Sequence, residues 1–472
     1  MLSGQTPFVN RQEELTFLEK AYSRKGAELL ILYGRRRVGK TSLLQHFAAR
    51  APVPSLYHVA AQTTVREELS RFSQRLSEFF EDPLPALQPF ESWEGVLEYL
   101  GQKARQRDFG WMLDEMPHAV EGDRSLPSLL QAAWDGVLRH TRIKIVLCGS
   151  SIGFMEQIGL LPSSPLFGRR TGQWKVEPFD AERLALLWPA ESLEGVLEAY
   201  GVVGGSPSYI TRFDPGLGLL ENIRGRILTR GEVLYEEVPF LLREEVRDAR
   251  VYQSVLSSMA QGSRRFSELS SKTGLDRAHL TRYLSILGDL GLVRREVPVT
   301  ESMPDKSRKG IYWIQDPFVA FWYRYVYPNR DRLEAGAAAQ VLAEVVQPTL
   351  DAYLSRELEP VIGSLFRGRW RRHVPFEPAF MGRHWSPTEE LDWVILDGAR
   401  ENAVVAELKW SRKPVRGREV MDALKRRASS CLALDGAGLT AIVVARKGFS
   451  DRPRSRAGER FIDLRKEKPG AR

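Results

Sequence analysis

Four short apolar runs, ELLILYG (28–34), SLYHVAA (55–61), GWMLDE (110–115) and IKIVLCGSS (143–151), punctuate the first third of the chain. Runs of that length read as buried strands. Between them, apolar residues recur every three to four positions, and SWEGVLEYLGQKA (92–104) and SLLQAAWDGVL (128–138) read as amphipathic helices. Strand and helix in alternation predict a parallel α/β sheet over residues 1–180. From 181 to 260 the period is helical: AERLALLW, LEGVLEAYGVV, PFLLREEVRDARVYQSVLSSMA. RRFSELSSKTGLDRAHLTRYLSILGDLGLVRREVPV (264–299) predicts a helix-turn-helix, its first helix ending at Gly274 and its second capped by Asp276. KGIYWIQD (309–316) supplies the return strand of a wing. An aromatic-rich connector, FVAFWYRYVYPNRDRLEAG (318–336), follows, and from about 346 a helix and several strands form a last domain. The expected organisation is therefore 1–180, 181–260, 261–318, 319–345 and 346–472.

A chain of 472 residues is too long for one core, so several domains are required. No apolar run approaches the roughly 20 residues of a membrane helix, and the N-terminus lacks a charged-then-apolar signal pattern. Cys148 and Cys431 stand far apart in apolar stretches and read as buried thiols, which suits a reducing cytoplasm. Charge sharpens the division. The net charge is +8, and residues 346–472 hold 25 Lys+Arg against 17 Asp+Glu, so the whole excess lies there and residues 1–345 are neutral. FRGRWRRH (366–373) and RPRSR (452–456) concentrate it. A nucleic-acid partner for the last domain follows from that balance, with a solvated face as the other reading.

GRRRVGKT (34–41) has the spacing G-x4-G-K-[ST] between a strand and a helix. The backbone of Gly34, Val38, Gly39 and Ser42 and the positive helix end can cradle phosphates, Lys40 can reach the β- and γ-phosphates, and Thr41 can hold Mg2+. Phosphoryl transfer also needs a carboxylate near the metal and a group to orient water. LDEM (113–116) offers Asp114 for the first and Glu115 for the second. Ser150 or Ser151 could sit beside the γ-phosphate, and Arg169 or Arg170 could neutralise transition-state charge. If either arginine acts in trans the protein works as a homo-oligomer; if in cis, a monomer suffices. No base-reading N-K-x-D motif follows, so ATP is preferred to GTP.

FVNRQEEL (8–15), GRRRVGKT, LDEM, CGSSIGFME (148–156), PLFGRR (165–170) and GGSPSYI (204–210) together resemble the archaeal-type ATPases, P-loop proteins of the AAA+-like signal-transduction branch. YEEVPFLLREEVRD and YWIQDPFVAFWYRYV are similar to the same family's middle section. The resemblance implies that the segment around Arg11 and the turn at Ser206-Pro207 flank the nucleotide base. Asn10 stands where that family often has glycine. On the second helix of the helix-turn-helix, Arg277, His279 and Arg282, with Arg294 and Arg295 on the wing, could meet DNA. The neutrality of residues 1–345 offers no strong basic footprint for DNA, and the resemblance to signal-transduction ATPases implies instead a winged helix that packs as a lid over the nucleotide domain.

Near the end stand ELDWVILDG (390–398) and AVVAELKW (403–410), joined by a tight turn. Strand parity puts Val405, Glu407 and Lys409 on one face and Val404, Ala406, Leu408 and Trp410 on the other. Asp392 opens the preceding strand, so two carboxylates and a lysine converge at one edge, a set suited to Mg2+ or Mn2+. The arrangement resembles the PD-(D/E)xK nucleases, and Glu359 is similar to that superfamily's helix carboxylate, with Glu357 as its competitor and Pro360 making the helix irregular. The expected fold class is thus α/β: a P-loop NTPase parallel sheet with helical lid, winged helix-turn-helix and a C-terminal restriction-endonuclease-like domain. The expected function is an ATP-hydrolysing switch in which ATP shifts the lid and so governs a metal-dependent nuclease-like domain. The other reading is an ATP-gated DNA-binding regulator whose last domain is inactive.

Overall fold

The computed structural model describes residues 8–188, 192–246 and 248–469. The chain divides into two compact units, one ending at Pro178 and the other beginning at Phe179. In the first, five parallel strands form a sheet in the order β2-β3-β4-β1-β5: β1 (Glu28–Tyr33), β2 (Ser55–Val59), β3 (Gly110–Asp114), β4 (Lys144–Gly149) and β5 (Gly172–Lys175). Alternate residues of β1 serve opposite faces. Leu29 and Ile31 pack with helices Val65–Phe80, Trp93–Gln106 and Leu126–Gly136, whereas Leu30 and Leu32 pack with helices Gln12–Ser23 and Lys40–Ala48. Covering both faces requires uninterrupted apolar strands, which is why β1, β3 and β4 read as solid runs. Because every strand runs the same way, the loops after β1, β3 and β4 share the carboxyl edge, where ligands of such sheets bind. The four strands and two helices expected from the apolar pattern form. β5 escapes that pattern, since it pairs with β1 alone and its residues alternate between half-buried and exposed.

The second unit opens with helices, among them Leu193–Val203, Val233–Glu245 and Ala249–Ala260. Helix Phe266–Thr273 ends at Gly274, whose φ of +70° few other residues adopt without strain. Asp276 then caps helix Arg277–Asp289 by accepting a hydrogen bond from the His279 N–H. An antiparallel hairpin of β6 (Val293–Glu296) and β7 (Ile311–Ile314) completes a winged helix-turn-helix.

A mixed sheet follows, in the order β12-β11-β10-β9-β8. Strands β8 (Phe380–Trp385), β9 (Glu390–Leu396) and β10 (Asn402–Lys409) are antiparallel, while β10, β11 (Gly438–Ala445) and β12 (Glu459–Asp463) are parallel. Helix Gln347–Arg367 lies in the core with Val404, Ala406 and Leu408, and helix Gly417–Ser430 in the core with Ala403 and Val405. The irregularity expected at Pro360 does not materialise: the helix runs through it. An interior proline costs about 3 kcal/mol, and burial of Leu354, Leu358, Val361, Ile362, Leu365 and Phe366 along the same helix offsets it. The helix also lies tight on β9, since a Cβ at Gly363 would come within 2.1 Å of the Trp393 ring.

One core runs from Ala181 to Leu464, so the segments expected separately beyond residue 180 share a single interior. Arg446, just after β11, pins the sheet to that interior. Its guanidinium donates to Glu194 (2.7 Å), to Asp351 (2.7 Å) and to Glu198. Burial holds the Glu198 carboxyl above its ordinary range. Removing one partner of a buried ion cluster leaves the others uncompensated. Arg446→Ala is therefore expected to lower unfolding free energy by about 3 kcal/mol, measured by urea denaturation of the full chain. A loss below about 1 kcal/mol, typical of a surface pair, would contradict that role.

Candidate functional site

The phosphate-loop sequence folds as a tight turn because its backbone is forced close to its neighbours. A Cβ at Gly34 would lie 2.3 Å from the Val176 carbonyl oxygen, so no larger residue fits. Gly39 takes φ of +92° as it caps helix Lys40–Ala48, and Val38 is fully buried beneath the loop. Lys40, 5% exposed, donates from Nζ to the carbonyls of Gly34 (2.8 Å) and Arg35 (3.0 Å). Its ammonium thus stands over the loop. Burial draws the Lys40 pKa below its ordinary value, against the pull of Cys148, Glu115 and Asp114. Arg11 braces the loop from beneath, donating to the Val38 carbonyl (2.6 Å), the Glu177 carbonyl (2.9 Å) and Glu14 (2.7 Å).

The carboxyl ends of the neighbouring strands complete the arrangement. Thr41 Oγ1 and Tyr57 OH both donate to Asp114 Oδ2, each at 2.8 Å. Asp114 is wholly buried, and its other oxygen accepts from the Glu115 backbone N–H at 3.0 Å. Glu115 adopts φ of +52°, a left-handed conformation that costs a glutamate energy and turns its side chain off the strand line. Ser150, at the tip of β4, donates to the Glu115 carboxylate at 3.0 Å. Thr41, Asp114, Glu115 and Ser150 thus form one hydrogen-bonded chain at the carboxyl edge, with Lys40 beside it and Ser42 one residue beyond Thr41 along the helix. Tyr57 was not foreseen; a tyrosine inside an apolar strand carries no signal until the strand order is known.

The two arginines of FGRR are committed within their own unit. Arg169 is held by Asp135 (2.7 and 2.9 Å) and the Pro165 carbonyl, and Arg170 by the Gly159 carbonyl and Gln173, both at 2.6 Å. Pro207 opens the short helix Pro207–Ile210 in the second unit. Arg277, His279 and Arg282 are exposed on the second helix of the helix-turn-helix. On the wing, Arg294 pairs with Glu296 (3.4 Å), and Arg295 donates to the Ser307 carbonyl at 2.5 Å.

The hairpin of β9 and β10 pairs Trp393 with Ala406, which sets Asp392 level with Glu407. Asp392 accepts from the Leu408 N–H at 3.2 Å. Glu407, 5% exposed, is paired with Lys409 at 2.5 Å and with Arg427 of helix Gly417–Ser430. Burial and the Glu407 charge raise the Asp392 pKa, with the Leu408 N–H, Arg383 and Lys409 opposing. Glu359 is pushed up to about 7, first by burial and then by Asp392 and Glu390, against Arg383. Arg383 reaches Glu359 at 3.2 Å and Glu390 at 2.6 Å. Glu357, the competitor, is buried beside Arg356 and Arg264 instead. Among the described residues, Asp392, Glu407 and Glu359 do not form a group with all ligand atoms within 4.8 Å of one another. Each carboxylate is engaged instead by a cation or a backbone N–H: Glu407 by Lys409 and Arg427, Glu359 by Arg383, and Asp392 by the Leu408 N–H. Arg383 and Arg427 were not foreseen, because 24 and 20 residues separate them from the carboxylates they engage.

A buried carboxyl with a raised pKa takes up a proton on folding, so it stabilises the fold below its unfolded value and loses that contribution as pH rises through its folded value. Between roughly 4.3 and about 7, stability is expected to decline through Glu359. Glu359→Gln should remove that part of the slope in urea titrations at pH 5, 6, 7 and 8. Identical slopes for both proteins would contradict it.

Comparison with known proteins decides the lineage. Residues 8–213 match a family described as an ATPase domain predominantly from Archaea, residues 254–295 the bacterial regulatory protein, arsR family, and residues 322–422 a family of archaeal and bacterial proteins of unknown function. An uncharacterized protein of Methanocaldococcus jannaschii is 30% identical over 415 residues, covering 88% of this chain and 89% of that one. The chain belongs to the archaeal-type ATPase family. An uncharacterized ATP-binding protein of the same organism is 59% identical over 44 residues, 9% of this chain and 75% of that protein. The Walker-type ATPase of Pyrococcus abyssi shares the fold with a TM-score of 0.52 at 22% identity, over 69% of this chain and 100% of that one. In this archaeal-type ATPase, no helix among the described residues is long and apolar enough to cross a membrane.

Proposed function

We propose that this ATPase binds and hydrolyses ATP at the loop Gly34–Thr41 and that its nucleotide state governs a metal-dependent, nuclease-like domain acting on nucleic acid. The observation that carries the first half is the convergence of Lys40, Thr41, Asp114 and Glu115 at one sheet edge. The backbone of Gly34, Val38 and Gly39 and the start of helix Lys40–Ala48 supply donors for phosphate oxygens. Lys40 exchanges its carbonyl partners for the β- and γ-phosphates. Thr41 and Asp114 would hold Mg2+, which neutralises phosphate charge as it develops. Glu115, steadied by Ser150, orients the attacking water and accepts its proton. Arg11 supports the loop rather than the base.

The second half rests on Asp392, Glu407 and Lys409 at one sheet edge, within residues 346–472, whose balance of +8 equals the net charge of the chain. Raised pKa values on Asp392 and Glu359 mark carboxyls crowded in low dielectric, the condition a divalent cation relieves. Asp392 and Glu407, with Glu359 nearby, would hold Mg2+ or Mn2+, which polarises a phosphodiester, and Lys409 would steady the developing charge. A separate cleft of about 590 Å³ in the same unit is lined by Arg372, Arg452, Arg465 and Lys466 together with Asp463 and Glu467, so its basic excess is modest. The two buried cysteines suit a cytoplasmic setting. The test is DNA cleavage and ATP turnover measured side by side for the wild type, Lys40→Ala and Asp392→Ala.

A DNA-binding regulator is the competing reading, favoured by the match of residues 254–295 to the arsR family and the exposure of Arg277 and Arg282. The leading reading expects Arg277→Ala/Arg282→Ala to leave duplex affinity of the full chain within about twofold. A tenfold or larger loss, with a smaller salt dependence, would favour the regulator.

A further inference from the structure

Outside both of these sites, His384, Glu389 and Cys431 come together from three places in the fold. His384 lies on β8, Glu389 in the turn between β8 and β9, and Cys431 at the carboxyl end of helix Gly417–Ser430. Their ligand atoms all fall within 4.8 Å of one another. His384 Nε2 is 3.4 Å from the Cys431 sulfur and 3.9 Å from a Glu389 oxygen. These spacings match ligand–ligand edges of a tetrahedron with metal bonds of about 2.0 to 2.3 Å. We propose that His384, Glu389 and Cys431 bind a zinc-type divalent transition metal that staples the β8–β9 turn to helix Gly417–Ser430.

Three further observations support it. His384 Nδ1 is 2.7 Å from Thr300 Oγ1, which fixes the ring with Nε2 towards the other two ligands. Thr388 Oγ1 donates to the second Glu389 oxygen at 2.7 Å, leaving the first for the metal. Partners of this kind orient ligands at metal sites. Charge also balances: one thiolate and one carboxylate neutralise a divalent ion, so a buried complex carries no net charge. A mixed N, O and S set excludes Mg2+ and Ca2+, which take oxygen ligands, and suits zinc. The metal–sulfur bond forms as the Cys431 S–H ionises and its proton leaves to solvent. No fourth His, Cys, Asp or Glu joins the group among the described residues, so water takes the fourth position.

Cobalt(II) is the probe, added to the metal-stripped full chain. The wild type is expected to bind one equivalent with a thiolate-to-cobalt charge-transfer band and intense tetrahedral visible bands, and zinc should displace it. Cys431→Ser should lose the charge-transfer band, and Glu389→Gln, a milder change, should weaken binding at least about tenfold. Asp392→Ala should keep both features, which separates this site from the acidic one. Circular dichroism checks that each variant is folded. Absence of thiolate-to-cobalt absorption in the wild type, or its persistence in folded Cys431→Ser, overturns the proposal.

Discussion

Lys40→Ala is expected to cut ATP turnover by about a hundred- to a thousandfold and to leave the fold standing. The Lys40 ammonium is poised over the loop, held by the Gly34 and Arg35 carbonyls at 2.8 and 3.0 Å. ATP phosphates outcompete neutral carbonyls for it, and its charge counts most where negative charge accumulates in the transition state. Loss of one such preorganised donor costs about a hundred- to a thousandfold in turnover. Alanine also keeps the helix start, being the best helix former, so melting temperature should change little. Glu115→Gln separates binding from chemistry: affinity for ATP persists, while turnover drops by the hundredfold or more that a positioned base contributes. The check is steady-state phosphate release alongside equilibrium binding of a fluorescent ATP analogue. Turnover of Lys40→Ala within a factor of three of wild type would remove this loop from the reaction.

Asp392→Ala is expected to lose the nucleic-acid cleavage proposed for this edge and to retain ATP turnover. Asp392 sits level with Glu407 on the paired strand and is half-buried, so the proposed cation would take both carboxylates. Loss of an outer partner alone costs a metal site about 10- to 100-fold, and loss of a ligand costs more. No direct chemistry links Asp392 to the loop at Gly34–Thr41, so phosphate release should be unchanged. Lys409→Ala should lower cleavage while sparing Mn2+ binding, because Lys409 touches Glu407 and not the metal. Equal cleavage by wild type and Asp392→Ala would assign any activity to a different site or a contaminant.

Local features of the fold were legible in the chain itself. The phosphate loop is contiguous, and its glycines report backbone demands that need no tertiary context. Gly274 and Asp276 announce a helix end and a helix start for the same reason. Strand parity separated Glu407 and Lys409 from Leu408 and Trp410, because period two holds wherever two helices bury opposite faces. What stayed hidden depends on register and packing across long separations. Tyr57 reaches Asp114 only because β2 lies beside β3. Arg427 reaches Glu407 from a helix, and Arg446 meets Glu194 across 252 residues. The pairing of Glu407 with Lys409, two residues apart on one strand face, was expected as an alternative from the sequence, whereas its pairing with Arg427 was not. His384, Glu389 and Cys431 carry no ligand spacing in sequence and meet only through the fold.

The central claim is that nucleotide at the loop governs chemistry at the acidic edge. It is tested most directly by timing cleavage of single- and double-stranded DNA by the full chain with Mg2+ or Mn2+, in ATP and in ADP. Cleavage is expected at rates that differ between the two nucleotides, with the difference gone in Lys40→Ala. A chain inert on both DNAs in every nucleotide state, or one that cuts equally fast in ATP and ADP, would contradict it.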